Sequence, residues 1–214
     1  GGKSRIVAAA VNVAFDAVSD ASVANNAGTT LSWTHTPVGT PTAVGVGVTF
    51  LSISGTWTIS GVTYGGNAMT QECITGSDDV NSNRAAIYGL ANPPSGAQTV
   101  VVTLNSAGGY VNAGAISVTG SNTSDPFSSS DKALGNDTAP GVTLTSDITE
   151  LVMDAYVGAD AAATPGAGQT QRWANAAASN KGFGSTEGGA ASVVMSWSQA
   201  SGGWSIAAAS FKKQ

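Results

Sequence analysis

The alternation of apolar and small polar residues with a period of two is what most limits how this chain can fold. It is plainest over residues 191–211, where Val193, Met195 and Trp197 fall on one side of an extended chain and Ser192, Ser196 and Ser198 on the other. Successive side chains point to opposite faces of a strand, so this run predicts a half-buried strand. Gly202-Gly203 and the second apolar run that follows complete a β-hairpin. The same alternation places Leu31, Trp33 and His35 inward over residues 29–36, and Val100, Val102 and Leu104 inward over 98–104. No stripe at helical spacing persists: the alanine runs 161–163 and 176–178 are short and lie near Gly or Pro.

Taken in order, strands are expected at residues 6–15, 29–36, 42–51, 57–64, 68–74, 84–91, 98–104, 110–119, 142–145, 150–158 and 170–173, and in the closing hairpin. Gly65-Gly66-Asn67 and Asn92-Pro93-Pro94-Ser95-Gly96 read as turns. Residues 16–26 read as a polar loop, and 120–141 and 175–189 as irregular. Gly45 and Gly47 share one strand face, which suggests close approach by another backbone or a large ring. About a dozen short strands separated by turns predict an all-β chain. The expected form is a two-sheet, jelly-roll-like β-sandwich over residues 28–214, preceded by a strand and loop at 1–27. No clear repeat or linker divides it; a pair of small sandwiches split within 120–141 is the alternative.

Composition narrows the function classes. With 42% apolar and only 10% charged residues among 214, the chain is unlike a disordered one and long enough to bury a core without disulfides. The net charge is −5 and the eight basic residues are scattered apart from those near the two ends, which argues against nucleic acid as a partner. No apolar run approaches the ~20 residues of a membrane-spanning helix. Lys3, Arg5 and the apolar residues after them imitate a signal peptide, but Asn12 interrupts the run and the segment reads as a first strand. Cys73 stands alone and reads as a small buried hydrophobe.

Catalytic constellations are hard to assemble. His35 is the sole histidine, on a strand face with Leu31 and Trp33, and reads as a core or rim residue. Ser32 and Ser54 lie near it in sequence, without the Gly-x-Ser-x-Gly elbow of a strained nucleophile. Two carboxylates would suffice for glycoside hydrolysis. Here Asp154 reads as hydrogen-bonded at a sheet edge, and Glu72, Glu150 and Glu187 as solvated. We therefore expect no enzyme and no cofactor. Asp78 and Asp79 open an oxygen-rich loop that could hold calcium, or form an ordinary polar turn; Arg84 and Leu90 stand where an EF-hand needs Gly and Glu. Trp57, Tyr64, Trp173 and Trp204 border loops and could present ring faces to sugars, or close the core; Trp33 and Trp197 read as core.

Several strings carry a resemblance. Leu31-Ser32-Trp33-Thr34-His35, Val62-Thr63-Tyr64-Gly65-Gly66 and Tyr88-Gly89-Leu90-Ala91-Asn92-Pro93-Pro94-Ser95-Gly96 begin it. Gly114-Ala115-Ile116-Ser117-Val118-Thr119-Gly120, Pro165-Gly166-Ala167-Gly168-Gln169-Thr170-Gln171-Arg172-Trp173 and the closing hairpin continue it. Together they resemble a poorly characterised β-sandwich module of large bacterial secreted or surface proteins and phage structural proteins. The likeness covers most of residues 28–211 and rests on turn formers and core aromatics, which speak to fold more than to activity. It implies a structural subunit on a virion surface or outside the cell: a phage decoration, head-fibre or tail protein binding copies of itself or other virion proteins. The alternative is an extracellular adhesion or carbohydrate-binding module that takes glycans. In the first case Ile6, Val11, Val13 and Phe15 would form a strand that pairs with a neighbouring subunit.

Overall fold

The computed structural model describes residues 12–23, 28–51, 57–76, 82–107, 109–177 and 180–214. Alternation becomes strand along most of this length. The first half of the chain supplies β1 (Ala14–Val23), β2 (Thr30–His35), β3 (Ala43–Leu51), β4 (Ile59–Tyr64) and β5 (Asn67–Ala68). It continues with β6 (Thr70–Ile74), β7 (Asn83–Ala91), β8 (Gln98–Leu104) and β9 (Tyr110–Thr119). The second half supplies β10 (Phe127–Asp137), β11 (Gly141–Leu144), β12 (Leu151–Gly158) and β13 (Thr164–Pro165). It closes with β14 (Thr170–Ala177), β15 (Asn180–Gly188), β16 (Val193–Ser198) and β17 (Gly202–Phe211).

The chain is all-β, and its antiparallel sheets pack as β-sandwiches. Among the described residues there are four sheets, with strand orders β1-β9-β3-β7-β6, β2-β8-β4-β5, β10-β17-β12-β15-β14 and β11-β16-β13. The first two draw only on residues up to Thr119 and the last two only on residues from Phe127 onward. Each pair is a jelly-roll sandwich: the first strand lies beside the last, and the second beside the last but one. Three apolar cores separate the four layers. Val44, Val46, Val48 and Phe50 of β3 pack outward with Tyr64, Val100 and Val102. Val152, Tyr156 and Ile206 pack with Met195 and Trp197 at the opposite outer core. Between the two five-stranded sheets lie Ile87, Ile116, Val118, Phe127, Met153, Trp173 and Phe211.

The two halves repeat each other, although the sequence reads as having no clear repeat. Substituting β10 for β1, β17 for β9, β12 for β3, β15 for β7 and β14 for β6 converts one five-stranded order into the other. Details repeat as well. The ladder of β1 with β9 slips between Phe15 and Ala17, and that of β10 with β17 between Phe127 and Ser129. The β6–β7 ladder slips between Gln71 and Cys73, and the β14–β15 ladder between Gln171 and Trp173. The contacts between halves are reciprocal: β7 packs on β17 as β15 packs on β9, and β6 on β10 as β14 on β1. Such exchange is the mark of an isologous, two-fold interface, here within one chain.

Close approach of the sheets depends on small residues, as Gly45 and Gly47 suggested. A Cβ on Gly45 would lie 2.8 Å from Phe211 Cζ and collide with the Met153 sulfur; one on Gly114 would overlap the Trp173 indole.

Three expected stretches differ. β1 occupies Ala14–Val23, most of it in the stretch expected to be a polar loop, and residues 6–11 of the expected first strand lie outside the described residues. Its polar residues are tolerated because it is an edge strand of its sheet. β10 runs through the stretch expected to be irregular, pairing with β17 from Phe127 to Asp137 with its serines and charged residues exposed or half-buried. β15 lies in the second such stretch. Its Gly182 and Gly184 are required by Thr49, Asn112 and Trp173 packed against them, and they hide its period of two.

Gly114→Ala is expected to destabilise the protein by about 1–3 kcal/mol through overpacking against Trp173. Gly61→Ala, whose Cβ would meet nothing within 4 Å, should change stability by less than about 0.5 kcal/mol. Chemical denaturation of both variants compares the two.

Candidate functional site

The repeat brings chemistry to one place in each half. At the bulge where the first strand meets the last, Asp16 corresponds to Ser128, and buried Ser117 to buried Ser210. Register places His35 opposite Gln98 and Leu144 opposite Val193. With Val100 matching Val193, Ser146 takes the place of His35. Glu150 takes the place of Thr42: the Gly189 N–H donates to Glu150 O as the Asn92 N–H does to Thr42 O.

In the first half these groups form a closed relay. The Trp33 indole N–H donates to Ser19 Oγ at 2.9 Å, and Ser19 Oγ lies 2.8 Å from His35 Nδ1. His35 Nε2 lies 3.1 Å from Ser117 Oγ, which donates to Asp16 Oδ2 at 2.7 Å. A carboxylate only accepts, so the single Ser117 hydrogen goes to Asp16 and the serine oxygen accepts from His35 Nε2–H. The neutral ring then takes the Ser19 hydrogen at Nδ1. Every donor points the same way, from Trp33 to Asp16. Asp16 is held in turn by the Val38 and Gly39 N–H groups. Burial pulls the His35 pKa down to about 4, against the opposing pull of the Asp16 carboxylate. The ring is a satisfied core histidine.

In the second half the same position opens into a cleft of about 300 Å³ lined by Ser128, Ser129, Thr145, Ser146, Asp147, Glu150 and Lys213. Two serines standing where the first half has His35 and Asp16 account for the space. The carboxylate of Glu150 is buried beneath it, accepting from Ser128 at 2.6 Å, Ser210 at 2.9 Å and Ser146 at 3.3 Å. The Lys213 N–H donates to its other oxygen. At the rim, Lys213 Nζ pairs with Asp147 at 2.8 Å, and hydrogen bonds from Lys213 and Thr149 hold the Asp147 pKa well below the usual carboxylate range. The serine hydroxyls thus meet a carboxylate that collects their hydrogens, with the imidazole in the other half of the chain.

Several residues singled out in the sequence lie elsewhere. Tyr64, Trp173 and Trp204 are interior, 0%, 2% and 5% exposed, so none offers a ring face to a sugar. Trp173 is clasped between Gly114 and Gly184, and the Trp204 indole donates to Asp137. Trp57 is half-buried over Gly109. Val13 is buried in the central core and Phe15 lies beneath the Arg172 guanidinium at 3.7 Å, so both face the second half of their own chain rather than a neighbour. Ile6, Val11, Asp78 and Asp79 lie outside the described residues. Cys73 is buried, and desolvation pushes its thiol up to about 12.

Two carboxylates depart from their expected places. Asp154 sits on β12, between β17 and β15, rather than at a sheet edge. It is fully buried, accepting from the Ser185 N–H at 2.6 Å, the Ser185 hydroxyl at 2.9 Å and the Trp197 indole at 2.8 Å. Burial raises its pKa to about 6 although these bonds oppose the shift. Glu150 is buried rather than solvated. Ser146 is four residues away, but Ser128, Ser210 and Lys213 are distant in sequence, and only the β10 bulge and the end of β17 bring them to it. Among the described residues, no three His, Cys, Asp or Glu side chains gather as a metal site.

No family model, no curated protein and no solved structure matches the chain.

The relay has a pH signature. The folded His35 pKa lies below its ordinary 6.5, so between about 6.5 and 4 the unfolded chain alone takes up this proton. That contribution is intact above 6.5 and lost as pH falls towards 4. His35→Gln is expected to be less stable than the native chain at pH 7, with the difference narrowing at pH 4.5. Urea denaturation at the two pH values measures it, and a constant gap would contradict the relay.

Proposed function

We propose that the chain is a non-enzymatic structural subunit: a phage decoration, head-fibre or tail protein that acts through protein–protein assembly on a virion surface. The observation that carries this reading is the reciprocal packing of two jelly rolls into one four-layered body. Its rings and buried carboxylates are engaged in holding its own layers together. Tyr156 stacks on Trp197 at 5.1 Å, Phe127 packs on Phe211 at 4.9 Å, and Asp154 and Glu150 each collect several internal donors. What remains for a partner is surface and sheet edge. β1 and β6 end one five-stranded sheet and β10 and β14 the other, so matching edges recur in both halves. An added strand from another copy or another virion protein could pair there. The resemblance to modules of phage structural proteins points the same way. A carbohydrate-binding role is less well supported, because three of the four candidate rings are enclosed.

Light scattering on the full chain, and on a chain lacking residues 1–11, tests the reading. Truncation at that point leaves β1 intact. The expected result is a defined oligomer of the full chain, reduced to monomer if the leading segment pairs between subunits. A monomer in both forms that joins no particle on co-sedimentation would overturn the assembly role.

A further inference from the structure

We propose that the cleft above Glu150 is a binding site for a nitrogen hydrogen-bond donor, an imidazole, guanidinium or ammonium group. The argument starts from where the hydroxyl hydrogens go. The Glu150 carboxylate has only acceptors, and Ser128 and Ser210 each donate to its Oε2. The Ser146 hydroxyl lies 2.6 Å from Ser210 Oγ and 3.3 Å from Glu150 Oε2, so its hydrogen also points inward. Ser129 donates to the Thr145 carbonyl. The serine hydroxyls of the cleft therefore turn lone pairs towards it, with the Asp147 carboxylate at its rim. Its one cationic donor, Lys213, is held by that carboxylate. A ligand that brings donors is matched there, whereas an acceptor-only ligand would face lone pairs on most sides.

The first half of the chain shows independently what this space takes. There the equivalent position is filled by an imidazole, and its Nε2–H meets Ser117, the counterpart of Ser210. Ser146 stands where that ring is attached, and the volume it leaves is open to solvent. A carboxylate beside that serine is kept, half-buried in Asp16 and buried in Glu150: Asp16 accepts from Ser117 as Glu150 accepts from Ser210. The second half thus keeps the serine–carboxylate pair without the histidine, and Ser146 Oγ, donating inward, stands between Ser210 and the cleft. The donor group could come from a small soluble base or from a side chain of a partner.

Nitrogen–proton correlation spectra of the full chain during titration with imidazole at pH 8.5 test the site. The expected result is saturable shifts at the amides of Ser128, Ser146, Asp147 and Lys213, with an affinity on the order of millimolar. The comparison ligand is 1-methylimidazole, which has the same ring but no N–H at that pH, and its shifts should be at least several-fold weaker. Ser146→His, patterned on His35, should fill the space and abolish the imidazole shifts. The native-chain comparison decides the matter should that variant fail to fold. Nα-acetylhistidine N-methylamide separates the sources: tighter binding than imidazole marks a partner's side chain, and equal binding a free base. Absence of saturable shifts with imidazole, or equal binding of 1-methylimidazole, would overturn the site and leave the assembly reading untouched.

Discussion

The close approach of the two five-stranded sheets is the constraint on which the rest of the structure depends. Sheets packed face to face ordinarily stand about 10 Å apart, with side chains of both filling the gap. Here much of one face carries almost no side chain. Gly45, Gly47, Gly89 and Gly114 form a shelf onto which the second half lowers Met153, Phe211, Phe127 and the Trp173 indole. The topology of the two halves is the same, but their surfaces at the interface are complementary in volume. Identical large residues on both sides would collide, and identical small ones would leave voids. Divergence of the repeats lets Met153 oppose Gly45, its own counterpart in the other half.

The same divergence shapes the polar clusters. Each half buries a serine next to the end of its last strand, Ser117 or Ser210, and a buried hydroxyl needs an acceptor. The first half supplies Asp16 from the bulge of its edge strand; the second supplies Glu150 from the residue before β12. Moving the carboxylate frees the bulge position for Ser128. Replacing His35 by Ser146 then turns a sealed relay into an open cleft. One fold thus holds the same hydrogen-bonding need in two states, one filled by the chain and one exposed to solvent. On the assembly reading, sites of this kind and the matching sheet edges are where partners would meet the molecule, since most of the aromatic residues are enclosed.

Much of the architecture was legible in the alternation. Val193, Met195 and Trp197 do face a core, and Gly45 and Gly47 do admit a ring and a thioether. The stretches that misread share a cause. β10 and the first strand are edges, where one side of the ladder is solvent and Ser, Asp and Lys are acceptable, so no apolar period marks them. β15 lost its period to Gly182 and Gly184, whose smallness is dictated by side chains from other strands. A split within residues 120–141 is one of two readings of the sequence, but the repeat itself is not legible there because what the halves retain is mainly spacing. Thr70-Gln71 and Thr170-Gln171 precede matching bulges, and Val100-Val101 and Val193-Val194 occupy matching strands, amid residues that have diverged.

By itself the sequence determined that this chain is all-β, that it turns where Gly, Asn and Pro are placed, and that Val, Trp and Met alternate into a core. These are local properties, set by backbone freedom and by the side to which each residue points. Only the tertiary structure decided that the strands form two jelly rolls back to back, that Tyr64, Trp173 and Trp204 are interior, and that Glu150 gathers serines from three separate strands and turns. Those outcomes depend on which faces meet. Period two assigns a residue to a face, and the volume of residues far away in sequence decides what that face will touch.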